Sequence, residues 1–179
     1  MESTLYIGGK AINVSAKLKA LMLYKRQFGE EYLDRYVQIQ NAEGDTERLA
    51  EDVTITAFRI IWAMAKAYDE SVPPPDLWLA GFENTDGFLQ AVFKAQGLIA
   101  ASAGNKRDKK DNGSDESVKI TTESYLAIAV RAGIGYDAAL EMTIGELNAL
   151  LDAIIAQRES KEMAKAATQA DFDNFKTFF

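Results

Sequence analysis

The chain has 179 residues, 47% hydrophobic and 10% aromatic, with 27 acidic against 20 basic residues and neither cysteine nor histidine. That size and apolar share suit one folded domain, or one domain with a small helical appendage. Without Cys or His there are no disulfides, no thiolate nucleophile, no imidazole base and none of the commonest transition-metal ligands, and a net charge of −7 speaks against a broad nucleic-acid surface.

The N-terminal segment Met1-Glu2-Ser3-Thr4 has no basic run leading into an apolar stretch, so it does not read as a signal peptide. No apolar run approaches the roughly 18 residues that a membrane span needs. A cytoplasmic protein without a membrane or nucleic-acid partner is the expectation.

Leu5 to Val14 holds two short alternating runs around Gly8-Gly9. Paired glycines accept the positive φ of a two-residue turn, so the segment predicts a β-hairpin. Ser15 reads as the N-cap of a helix carrying Leu18, Leu21 and Met22, with Gly29 closing it. A second short helix is expected over 30–40, with Tyr32, Leu33, Tyr36 and Val37 on one face.

Residues 46–70 predict the strongest helix of the front half. Its middle, Ala57 to Ala65, is apolar almost all the way round, which marks a buried central helix with Phe58, Ile61 and Trp62 in the core. Pro73-Pro74-Pro75 stops it. A turn or short helix at 76–81 carries Leu77, Trp78 and Leu79. Thr85 or Asp86 then opens a helix through Leu89, Val92 and Phe93 to about residue 101.

Residues 102–117 have no large apolar side chain and mix four basic with four acidic residues, so the chain divides into a helical domain at 1–101, a mobile linker at 102–119 and a helical unit at 120–179. In that unit Thr121 or Thr122 caps a helix with Tyr125, Leu126 and Ile128, which Ala132-Gly133-Ile134-Gly135 breaks. Thr143 with Glu146 forms a capping box, and Met142 with Leu147 a hydrophobic staple, ahead of the stripe Ile144, Leu147, Leu151, Ile154 and Ile155. Further on, Phe172, Phe175 and Phe179 fall at helical spacing.

No motif for chemistry emerges. Gly8-Gly9 lacks the Lys-Ser/Thr of a phosphate-binding loop, and Gly133-x-Gly135 lacks the third glycine and preceding strand of a dinucleotide site. Residues 108–116 lack the spacing of a calcium loop. Neither catalytic nor metal-binding residues, nor any cofactor, can be assigned; the expectation is a non-enzymatic protein. Tyr136, Met142 and Leu147 are the candidate protein-binding residues, as a docking ridge around the helix start.

The run from Gly133 and Tyr136 to Met142-Thr143-Ile144-Gly145-Glu146-Leu147, ahead of a Leu-rich helix, resembles tail assembly chaperones of long-tailed bacteriophages. The aromatic residue that this family often places just before Met-Thr is Leu140 here, or is displaced to Tyr136. The layout is also similar, with an Ile-Gly-Gly-Lys hairpin, a helical domain and a linker before the motif. The resemblance implies the long, frameshifted form of such a chaperone, acting in the bacterial host cytoplasm. It would self-associate, bind the tape measure protein through the front domain and recruit the major tail tube protein through the rear unit. The alternative is a non-enzymatic helical adaptor or regulatory protein of a mobile element.

Overall fold

The protein is mainly helical with a short N-terminal hairpin; the computed structural model describes residues 1–32, 34–35, 48–103 and 121–157. Strands β1 (Glu2–Ile7) and β2 (Lys10–Ser15) pair antiparallel, Glu2 opposite Ser15 and Ile7 opposite Lys10. The helices that follow include α1 (Leu18–Phe28), α2 (Arg48–Tyr68), α3 (Pro75–Ala80), α4 (Phe88–Ser102), α5 (Thr122–Arg131), α6 (Tyr136–Leu140) and α7 (144–157). Most of the helix expected over 30–40 and all of the 104–120 segment lie outside the described residues, as do residues 158–179.

Alternation in the hairpin sets its packing. Leu5, Ile7, Ile12 and Val14 are buried, while Tyr6 between them is 62% exposed. A lone hairpin is marginal, and this one is held from two sides, β2 along α2 and β1 along α4. Its turn is fixed as well. The Gly8 N–H donates to the Asp86 carbonyl at 2.8 Å, and a Cβ on Gly8, at φ +56°, would stand 2.6 Å from the Asn84 carbonyl oxygen. Only glycine meets both conditions.

Helix α2 is the centre of the molecule. Phe58, Ile60, Ile61, Trp62, Ala63 and Met64 are all buried, as an all-round apolar helix requires. The Phe58 ring stacks on Phe88 at 4.0 Å, and the Phe28 ring meets Trp62 edge-on at 5.6 Å. The Trp62 indole N–H donates to the Pro73 carbonyl at 2.8 Å, tying the proline stop back to the helix. Helix α3 then starts with Pro75 in its first turn, where a missing N–H costs nothing.

Ser15 is not the N-cap of α1. It is the last residue of β2, fully buried, and the N-cap is Lys17, which makes no side-chain cap. The ladder pairs Ser15 with Glu2 and so carries the strand past the expected helix start. A distant backbone group takes over part of the capping: the Leu18 N–H donates to the Met142 carbonyl at 2.8 Å. Helix α4 likewise begins later than Thr85 or Asp86, with Gly87 at its N-cap, φ +78°, and no side-chain cap. A Cβ there would lie 2.9 Å from the Tyr6 carbonyl oxygen.

The rear helices join the same core. Leu126, Ala129, Ala139, Ile144 and Leu147 belong to one buried cluster with the front half. Thr121 caps α5, its hydroxyl accepting from the Ser124 N–H at 3.2 Å. At the far end the Ile134 N–H reaches the Ala129 carbonyl and the Gly133 N–H the Val130 carbonyl, with Gly133 at φ +92°. This is a Schellman ending, and Ile134 packs on the core beside it.

Candidate protein-docking surface

The capping box forms as a reciprocal pair. The Thr143 N–H donates to Glu146 Oε2 at 2.7 Å, and the Glu146 N–H to Thr143 Oγ1 at 3.2 Å. The Thr143 N–H and hydroxyl together hold the Glu146 carboxyl below its ordinary value. This box fixes the start of α7 and with it the positions of Met142 and Leu147.

The three candidate docking residues fall into different environments. Tyr136, at the start of α6, is 48% exposed. Met142 is half-buried against the core, and its carbonyl is the acceptor for Leu18. Leu147 is fully enclosed. In this conformation only Tyr136 presents an open face; Leu147 is packing, and Met142 joins the two halves through its backbone.

Around Tyr136 lies a groove of about 540 Å³ between α1 and the rear helices. Its apolar wall is Met22 and Leu23 from α1 with Leu140 and Tyr136 from α6. Lys19, Lys25, Arg26 and Glu123 complete the lining. Met22, Leu23 and Leu140 are half-buried, so the groove is a seam where the two halves meet without closing.

Charged groups bridge the seam. Lys17 donates to Glu141 at 2.9 Å and lies 3.2 Å from Glu2. The Glu141 carboxylate holds the Lys17 ammonium above its ordinary value, with partial burial opposing and Glu2 adding to the shift. Lys25 donates to Glu123 and, at 2.5 Å, to Glu31; Glu123 first and Glu31 second raise its pKa, and Lys25 in turn lowers that of Glu123. Glu31 Oε2 also accepts the Thr122 hydroxyl at 2.9 Å. Front and rear are thus fastened by polar contacts around an incompletely filled apolar seam.

A second open face lies on α4. One side of that helix buries Phe88, Ala91, Ala95, Leu98 and Ile99 against the core. The other carries Leu89 and Phe93, one turn apart and 70% and 69% exposed. The sequence places both residues on a helix but leaves open which face looks outward. No signal in the sequence separates the two faces, since a helix with apolar residues on both sides can equally be buried all round, as α2 is.

Another concave surface, between α2, α3 and the hairpin, has a volume of about 370 Å³ and is lined by Lys10, Asn13, Tyr68, Trp78 and Phe82 among others. No cluster of metal-ligating side chains occurs among the described residues, and none of the described helices is long and apolar enough to cross a membrane. Tyr24, buried in the core, has its hydroxyl pKa pushed up to about 12, chiefly by burial. No family model, curated protein or solved structure matches this chain.

Proposed function

We propose that the chain is a non-enzymatic assembly chaperone, of the kind that keeps the tape measure protein of a long-tailed phage in solution and recruits tail tube subunits to it. The observation that carries the reading is the open Leu89–Phe93 face of α4. Two large apolar side chains one turn apart suit docking of an amphipathic helix from a client chain. A long helical client such as a tape measure offers many such segments.

The resemblance of the Met142–Leu147 segment to tail assembly chaperones supplies the identity of the client, and Tyr136 beside the seam is an open residue of the rear half that would meet a tube subunit. The α4 face on the front half and the seam in the rear half give such a chaperone two separate surfaces.

Co-expression with a candidate tape measure protein, followed by size-exclusion chromatography with light scattering, tests the proposal. Co-elution, with the tape measure in solution only when this chain is present, is the expected result. A tape measure that aggregates regardless, with this chain eluting alone as a fixed small species, would remove the phage assignment and leave the helical adaptor.

A further inference from the structure

The hairpin is a two-stranded sheet, and its two outer edges differ. Gly8 and Gly9 both have positive φ, as a two-residue type I′ turn requires, so Ile7 and Lys10 are the first hydrogen-bonded pair. Alternation then makes Leu5–Ile12 and Ser3–Val14 hydrogen-bonded pairs and turns the N–H and C=O groups of Thr4, Tyr6, Ala11 and Asn13 outward. On β1 these outward groups are met by α4 and its cap: the Thr4 carbonyl accepts the Lys94 ammonium at 2.8 Å, and the Tyr6 carbonyl lies against Gly87. On β2 no group among the described residues bonds to the outward N–H and C=O of Ala11 and Asn13, and both residues are exposed.

That free edge borders a groove. Ala11, Ile12 and Asn13 line the concave surface of about 370 Å³ together with Val72, Trp78 and Phe82. Lys10 lies 5.8 Å from the centre of the Phe82 ring and donates to the Gly81 carbonyl at 2.5 Å, so the face of β2 that Lys10 shares with Ile12 is the one turned toward these apolar side chains. Asp69, also on the lining, makes no ion pair among the described residues. Unpaired strand groups beside an apolar groove call for a partner with extended backbone, whose side chains enter at every second position. A second copy pairing edge to edge would set groove against groove and leave both unfilled. We propose that the β2 edge takes an extended segment of another protein as a third strand, with apolar side chains at alternate positions in the groove beside Ile12 and Trp78 and a basic residue toward Asp69. The inference does not rest on the tail-assembly reading and survives its failure.

Amide exchange and peptide selection on the full chain test this. In the free protein the Ala11 and Asn13 amides should exchange at least about tenfold faster than those of Ile12 and Val14. Equal protection would mean that the edge is already taken and would overturn the proposal. Random heptapeptides displayed on yeast are then selected against the parent chain, and the enriched sequences are synthesised. Expected are peptides with apolar residues at alternate positions that slow exchange at Ala11 and Asn13. Ala11→Pro removes an outward N–H that the hairpin does not use, so it should keep the circular dichroism of the parent while binding the peptides at least about tenfold more weakly. Asp69→Asn should weaken peptides with a basic residue several-fold. Should Ala11→Pro not fold, N-methylation of the peptide at every second residue reads the same pairing from the other side: one register should abolish binding and the other leave it. Peptides that bind the folded Ala11→Pro chain as tightly as the parent, or that tolerate N-methylation in both registers, would overturn the proposal. So would a selection that enriches no binder, or a parent dimer that Ala11→Pro turns into a monomer, which would assign the edge to a second copy.

Discussion

Leu147 and Tyr136 separate packing from docking within one short stretch of chain. Leu147 is fully enclosed, so Leu147→Ala should cost about 2–5 kcal/mol in a urea melt, the range for truncating a buried leucine. A residue that only touched a partner would leave the melt unchanged. Tyr136 is half exposed, and Tyr136→Ala should stay within about 0.5 kcal/mol of the parent. Gly87 answers to backbone geometry instead: with φ at +78° and the Tyr6 carbonyl 2.9 Å from a prospective Cβ, Gly87→Ala should destabilise by more than about 1 kcal/mol. A thermal melt unaffected by that change would show that the hairpin and α4 do not meet as closely as described.

At the scale of elements, the rear helices are fastened to α1 by few contacts. One backbone bond from Leu18 to Met142, the Lys17–Glu141 and Lys25–Glu123 pairs, and the Thr122–Glu31 bond surround the incompletely filled seam. Exposed ion pairs weaken with salt. Acid acts in the same direction. Glu123 and Glu146 have folded pKa values below their unfolded ones, so their contribution is present above the ordinary glutamate range, near pH 4.3, and is lost as pH falls through the lowered values. Native-state hydrogen exchange should therefore show α5–α7 opening before α2, with the gap widening at pH 3 or in high salt. Uniform protection across α2 and α5–α7 under those conditions would contradict it.

Legibility in the sequence followed how local each signal was. The Gly8-Gly9 turn, the all-round apolar α2, the proline stop, the Thr121 cap and the Thr143–Glu146 box depend on neighbours in the chain and were all readable. Ser15 misled because its cap pattern lost to strand pairing with Glu2, and the helix start took its acceptor from Met142, far along the chain. The outward direction of Leu89 and Phe93, and the seam beside Tyr136, depend on which elements pack together, which spacing does not encode.

Taken as a whole molecule, the protein has a well-filled front core around α2, and apolar surfaces are left open among the described residues, including one on α4 and one at the seam. Exposed apolar side chains one turn apart suit docking of another chain, and we propose that the α4 face holds a client. The most direct measurement is co-elution of the tape measure protein with the parent chain and with Leu89→Lys/Phe93→Lys, each checked by circular dichroism. Because both side chains point into solvent, the double variant should melt within about 1 kcal/mol of the parent yet lose the client, while the parent retains it. A folded double variant that still carries the tape measure through the column would contradict the claim.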